Sequence, residues 1–197
     1  MNTRFFTDTI GCATVVAFWV FGGLQAMAEP QSQRERAIEE ALAAGDGRQA
    51  IELAEAILNE VWDAAPLGLN MVSLVEGNPS GYGIFTPRET NRYAPSEPIV
   101  IYAEPYGFGY GELQEGIHRI AFDVDLVVKA SDGTVLTDLP DIMELALNTR
   151  RPNKEFFADI TYKLTGASVG QYILETTLRD QNSESSVSFE LLIEIAE

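Results

Sequence analysis

The chain is 197 residues long and carries 13 Lys and Arg against 30 Asp and Glu, a net charge of −17 at pH 7, with 46% of its residues hydrophobic. A field of that sign repels nucleic-acid phosphates and anionic lipid headgroups, which disfavours nucleic-acid and membrane-surface binding. The length suits one domain with a small appendage, and a single cysteine excludes a disulfide framework.

Residues 1–28 stand apart from the rest. Arg4 precedes an apolar run from Ile10 to Leu24 that closes on Ala26-Met27-Ala28, the charged start, apolar middle and A-x-A end of a secretory signal. The run of about 15 residues falls short of the roughly 20 needed to cross a bilayer core. Cleavage after Ala28 is therefore expected, giving a mature chain in the periplasm or outside the cell with no membrane insertion. Cys12 opens the apolar run rather than closing it, which argues against a lipid anchor. Cleavage also removes that cysteine, so packing must stabilise what remains.

Ser32 and Glu35 have the S-x-x-E spacing that satisfies the free amides of a helix start. Ile38, Ala41 and Leu42 follow at helical spacing, and Gly45 stands where a left-handed terminator belongs, predicting a helix over 33–44. Asp46, with Gln49 three residues on, is placed to cap a second helix whose stripe is Ile51, Ala54, Leu58, Val61 and Ala65, with Trp62 beside it and Pro66 as the stop. Residues 29–66 thus read as a helical hairpin resembling a single tetratricopeptide unit. One such unit cannot bury its own face and is expected to dock elsewhere.

From Leu69 onward the hydrophobic period becomes two, with Gly, Pro, Asn and Asp at the breaks. Ile120, Phe122, Val124, Leu126 and Val128 alternate with polar neighbours up to a turn at Ser131-Asp132-Gly133. The pattern returns at Phe156 to Leu164, Tyr172 to Leu178 and Val187 to Ile195, with weaker strands near 69–75, 98–104, 134–137 and 143–149. The last of these reads equally as a helical turn. About seven or eight strands over 67–197 suit a mainly β fold, an immunoglobulin-like antiparallel β-sandwich. Tyr172, opening the penultimate strand after a glycine-containing crossover, resembles the tyrosine corner of such domains. An ordinary core tyrosine is the other reading, and both place it inside.

Pro87-Arg88, Tyr93, the run from Glu97 to Glu104, Gly166 to Tyr172 and Leu178-Arg179-Asp180 together resemble uncharacterised exported bacterial proteins with immunoglobulin-like C-terminal domains. The resemblance spans most of residues 66–197. It implies a fold and a compartment, and it supplies no activity, cofactor or catalytic residue.

Chemistry is sparse in the mature chain. Its one histidine, His118, sits at the start of a strand in register with the inward face and reads as structural. Without cysteine or a second histidine there is no Cys-His pair and no multi-histidine zinc site, and a serine triad would lack its G-x-S-x-G elbow. Asp123 and Asp125 share one strand face, read as solvated. No metal and no cofactor is assigned. Gly107-Phe108-Gly109-Tyr110-Gly111 is not followed by the helix and lysine of a phosphate loop, and its aromatics would crowd phosphate.

What remains is Tyr106, Phe108 and Tyr110, spaced two apart among glycines, with Tyr82, Arg88 and Arg92 in a neighbouring Gly- and Pro-rich segment. These six are the candidate binding residues, because aromatic loops on rigid sandwiches commonly form contacts. The competing reading folds the rings onto the core or the hairpin and pairs the arginines with acids. The expected function is an exported, non-enzymatic interaction or structural module whose partner is a protein or envelope component. The alternative is a carbohydrate-active hydrolase or glycan-binding protein using a carboxylate pair and the aromatic loop 106–110.

Overall fold

The computed structural model describes residues 29–197, so the expected export signal lies outside the described residues. The chain divides into two compact units, one ending at Ala56 and the other running from Ile57 to Glu197. Among the described residues no helix is long and apolar enough to cross a membrane.

The first unit holds helix α1, Glu29–Ala43, and the opening turns of α2, Gly47–Ala64. Helix α1 begins upstream of the expected capping box, with Ser32 inside the helix rather than at its start. Its end follows the prediction: Gly45 adopts φ +76°, and the Gly45 and Asp46 amides donate to the Leu42 and Ala41 carbonyls at 3.0 and 2.9 Å. Those two bonds are the paired closure of a left-handed helix terminator. Asp46 then caps α2 by accepting the Gln49 amide at 3.0 Å. The expected apolar stripe of α2 is not buried, with Ile51 62%, Leu58 49% and Val61 60% exposed, whereas the small residues Ala41 and Ala50 are buried.

The second unit is mainly β. Its strands are β1 (Gly68–Val75), β2 (Arg92–Tyr93), β3 (Ile99–Tyr106), β4 (Gly111–Gln114), β5 (Ile117–Ala130), β6 (Val135–Thr149), β7 (Ala158–Tyr162), β8 (Gly170–Asp180) and β9 (Ser186–Ile195). One sheet has the order β1-β3-β7, the other β2-β9-β8-β5-β4 with β6 on the far edge of β5. Pairings are antiparallel apart from the two-residue match of β2 with β9. Ile99, Ile101 and Ile160 of the first sheet share one buried cluster with Phe122, Val124, Leu174, Leu178 and Ile193 of the second. The alternation read from the sequence holds on β7 and β8 and on β5 from Phe122 onward, Ala121 being buried as well, while Phe189 and Leu191 of β9 are half-buried against the same core.

Residues 143–149 are strand, continuous with 135–137 in β6. Opposite Asp125 the ladder skips from Val124↔Met143 to Leu126↔Leu139. Pro140 has no amide to offer there, and Asp141 takes φ +54° while its amide donates to the Asp125 carboxylate at 2.8 Å. This bulge is what interrupts the sequence pattern.

A smaller cluster lies on the other face of the three-stranded sheet. Val75, Val100 and Tyr102 are buried there against Phe85 and Phe157. The Tyr102 ring stacks on Phe85 at 4.2 Å and on Phe157 at 5.6 Å.

Candidate functional site

The six candidate residues do not converge. Phe108 is 1% exposed and belongs to the core, where its ring meets Trp62 edge-on at 4.9 Å and also Phe122 and Phe156. The indole of Trp62 donates to the Phe108 carbonyl at 2.9 Å. Tyr110 is half-buried beside Phe108 and donates its hydroxyl to the Asn153 carbonyl at 3.1 Å. Burial, helped by Asp63, pushes its phenol up to about 12. The Tyr106 ring lies on Gly68, where a Cβ would come within 2.4 Å of it. An exposed three-ring platform is therefore overturned, because the backbone turns at Gly107, φ +72°, and breaks the alternation that would keep the rings on one side.

The glycines of this loop serve packing within the unit. A Cβ on Gly107 would meet the Pro66 carbonyl oxygen at 2.6 Å, and one on Gly111 would meet the Asn182 side chain at 2.4 Å. Asn182 donates to the Gly109 and Arg119 carbonyls at 3.1 and 3.0 Å, while Asp180 accepts the Gly109 amide at 2.7 Å. The loop is stapled to the β8–β9 turn.

The remaining candidates occupy two other places. Arg88 lies 4.1 Å over the Tyr93 ring and pairs with Glu97 at 2.9 Å and Glu76 at 3.4 Å. Arg92 pairs with Glu194 at 3.4 Å. Both arginines are thus committed to acids. Tyr82 interacts with buried Glu104, to which the Tyr102 hydroxyl donates at 2.5 Å while accepting the Gly83 amide at 2.6 Å. Burial and the bond to Glu104 lift the Tyr102 phenol to about 12, and burial followed by the Glu104 charge raises Tyr82.

Asp123 and Asp125 are not free on a solvated face. Arg179 donates to both Asp125 oxygens at 2.9 and 3.2 Å, reaches Asp123 at 3.7 Å and also pairs with Asp141. Its hydrogen bonds hold the Asp125 carboxyl below the usual carboxylate range. His118 is half-buried at the start of β5 with its ring edge-on to Tyr110 at 6.3 Å. Tyr172 is half-buried against the core and donates its phenol to the Ser168 carbonyl at 2.8 Å, the upstream backbone bond expected of a tyrosine corner. Among the described residues no three acidic, histidine or cysteine side chains form a group able to hold a metal ion.

The sequence did not point to a recess that lies between β6 and β7. Among the described residues β6 pairs only with β5, and β7 only with β3, so each has an edge with no strand partner there. Between them runs a seam with two grooves. The larger, about 600 Å³, is lined by Leu126, Leu139, Ile142, Met143, Tyr162 and Leu164 among others. The smaller, about 420 Å³, is lined by Leu145, Leu147, Phe156, Phe157, Glu155 and Asp159 among others. Val135, Leu136 and Leu139 lie exposed along the start of β6. One signal was available, since a proline inside an apolar run, Pro140, marks an edge strand.

No family model matches the chain, and no curated protein matches it in sequence.

Proposed function

We propose that this chain is an exported module, cleaved after Ala28 and released to the periplasm or the exterior, that acts by binding a protein or envelope component rather than by catalysis. We read its β unit as an immunoglobulin-like sandwich, a reading supported by two sheets sharing one core and by the bond from Tyr172 to Ser168. The observation that carries the binding reading is the seam, a recess of mixed apolar and polar lining flanked by two strand edges without a strand partner among the described residues. Unpaired edges are templates for another chain, and apolar recesses with a few polar groups are where ligands settle.

The hydrolase alternative is weakened at its best-placed carboxylates. A glycosidase pair needs one carboxyl kept protonated as an acid, whereas Arg179 drives Asp125 the other way.

Crosslinking in the host envelope tests the proposal. The wild-type protein should yield a discrete crosslinked partner, and changing the exposed residues Leu136→Glu and Leu139→Glu should abolish it without lowering the melting temperature. Retained crosslinks in that variant would overturn the seam as the binding site. N-terminal sequencing of the released protein should begin at Glu29, and an intact Met1 in a membrane fraction would overturn export. Glycan hydrolysis by purified protein, lost in Asp125→Asn, would establish the enzyme instead.

A further inference from the structure

If the seam is a binding site, as proposed above, the chemistry of its two grooves identifies the kind of occupant. We infer that it takes an extended segment of another protein, laid as an added strand between β6 and β7, with apolar side chains entering the larger groove and a lysine or arginine entering the smaller one beside Asp159. Strand addition gives affinity through the main chain and specificity through alternate side chains.

Asp159 carries the cationic part. Its Oδ2 accepts from the Asn78 amide at 2.9 Å, while its Oδ1 is buried without a hydrogen-bond partner. A buried acceptor left unpaired costs stability that an incoming donor restores. The same groove has the half-buried ring of Phe157 and the buried ring of Phe156 on its wall, with Glu155 beside them. A long cationic side chain fits such a place, its aliphatic stem on the rings and its charged head at the carboxylates. The larger groove is mixed, its lining combining Leu126, Leu139, Met143 and Tyr162 with Thr161, Lys163 and Ser168. Apolar side chains of the segment fit the first four.

Charge excludes a second copy as the favoured occupant. β6 carries Asp138, Asp141 and Glu144, the last two paired with Arg179 and Arg119, in a chain of net charge −17, so two copies brought together along this edge repel through their net field. A basic segment is attracted by the same field. Leu139 and Leu147 stand opposite Leu126 and Ile120 of β5, so the seam between them is roughly 20 Å long, the span of about six or seven extended residues.

The test uses the full chain and two synthetic peptides of about nine residues alternating valine and threonine, one with a central arginine and one with glutamate in its place. The arginine peptide should bind about tenfold more tightly by fluorescence anisotropy, a difference of about 1.4 kcal/mol, and should slow amide exchange in β6 and β7 only. Asp159→Asn should erase the preference, and should that variant melt early, the peptide pair on the native chain still decides. Equal binding of both peptides with protection at β6 and β7 would overturn the cationic inference and leave the seam standing. Protection at neither strand with either peptide would overturn both. A dimer seen by sedimentation, protecting these strands without peptide, would make a second copy the occupant and overturn the inference.

Discussion

Phe108 sits where three parts of the β unit meet, touching Trp62 of α2, Phe122 of β5 and Phe156 before β7. Truncating a buried ring removes its transfer energy and leaves a cavity, so Phe108→Ala should cost about 3–5 kcal/mol. The melting temperature should fall by roughly 6–20 °C, and a change under about 2 °C would mean the ring is not a core member. The sequence left this residue between a surface platform and the core, because two-residue spacing among glycines also looks like a strand with one aromatic side. Nothing local announces that Gly107 takes φ +72° against Pro66, which depends on a segment about 40 residues away. Arg179 poses a related problem: Asp123 and Asp125 were legible as neighbours, but the cation between them comes from β8, far along the chain. Its bond lowers the folded pKa of Asp125, so that stability is present above the unfolded value of about 3.9 and is lost as pH falls through the folded value. With Arg179 exposed to solvent, Arg179→Gln should lower stability at pH 7 only slightly. The difference from wild type should shrink as urea unfolding is repeated from pH 5 down towards pH 2, and a constant difference would refute the linkage.

At the scale of elements, the strands that carry both sheets were legible because burial on one face forces alternation, and the register predicted for β5, β7 and β8 is the register found. Ile160 of β7 and Leu174 of β8 are both 0% exposed. Replacing either with alanine should cost about 2–5 kcal/mol in urea unfolding, and a loss below about 1 kcal/mol would contradict that register. β6 was read as two pieces because its bulge is held by the Asp141 amide donating to the carboxylate of Asp125, on another strand. The helical hairpin shows the opposite failure. The stop of α1 and the cap of α2 were read correctly from local sequence around Gly45 and Asp46, since capping is a local matter, whereas the capping box expected at Ser32 lies inside α1. The burial of its stripe is not local, and Ile51, Leu58 and Val61 stand exposed. The seam escaped the sequence reading for the same reason: an unpaired edge is a property of which strands do not meet, and only Pro140 hinted at it.

For the β unit as a whole, buried tyrosines set the alkaline limit of stability. Tyr102 lies in the outer-face cluster, Tyr110 beside Phe108 and Tyr162 in the main core, and burial pushes each phenol up to about 12. Tyr82 and Tyr93 are raised as well, by burial first. An unfolded chain ionises its tyrosines near 10, so from there upward the unfolded state has lost protons that the folded state keeps. Rising pH therefore drives unfolding, and the contribution of these groups is complete below pH 10 and gone above about 12. Lys129, raised by its bonds to Glu175 and then Glu190, acts in the same direction. Removing one phenol separates the two sources. In Tyr102→Phe the Gly83 amide and Glu104 lose their shared partner, so stability should drop by about 1–3 kcal/mol at neutral pH, while the further decline across the alkaline range should be shallower than in wild type because one raised group is missing. The measurement is urea unfolding at steps from pH 9 to pH 12, with the tyrosinate ultraviolet band followed on the same samples. In wild type the band should rise together with loss of structure. A native protein whose tyrosines all ionise near pH 10 without unfolding would contradict the burial of these rings.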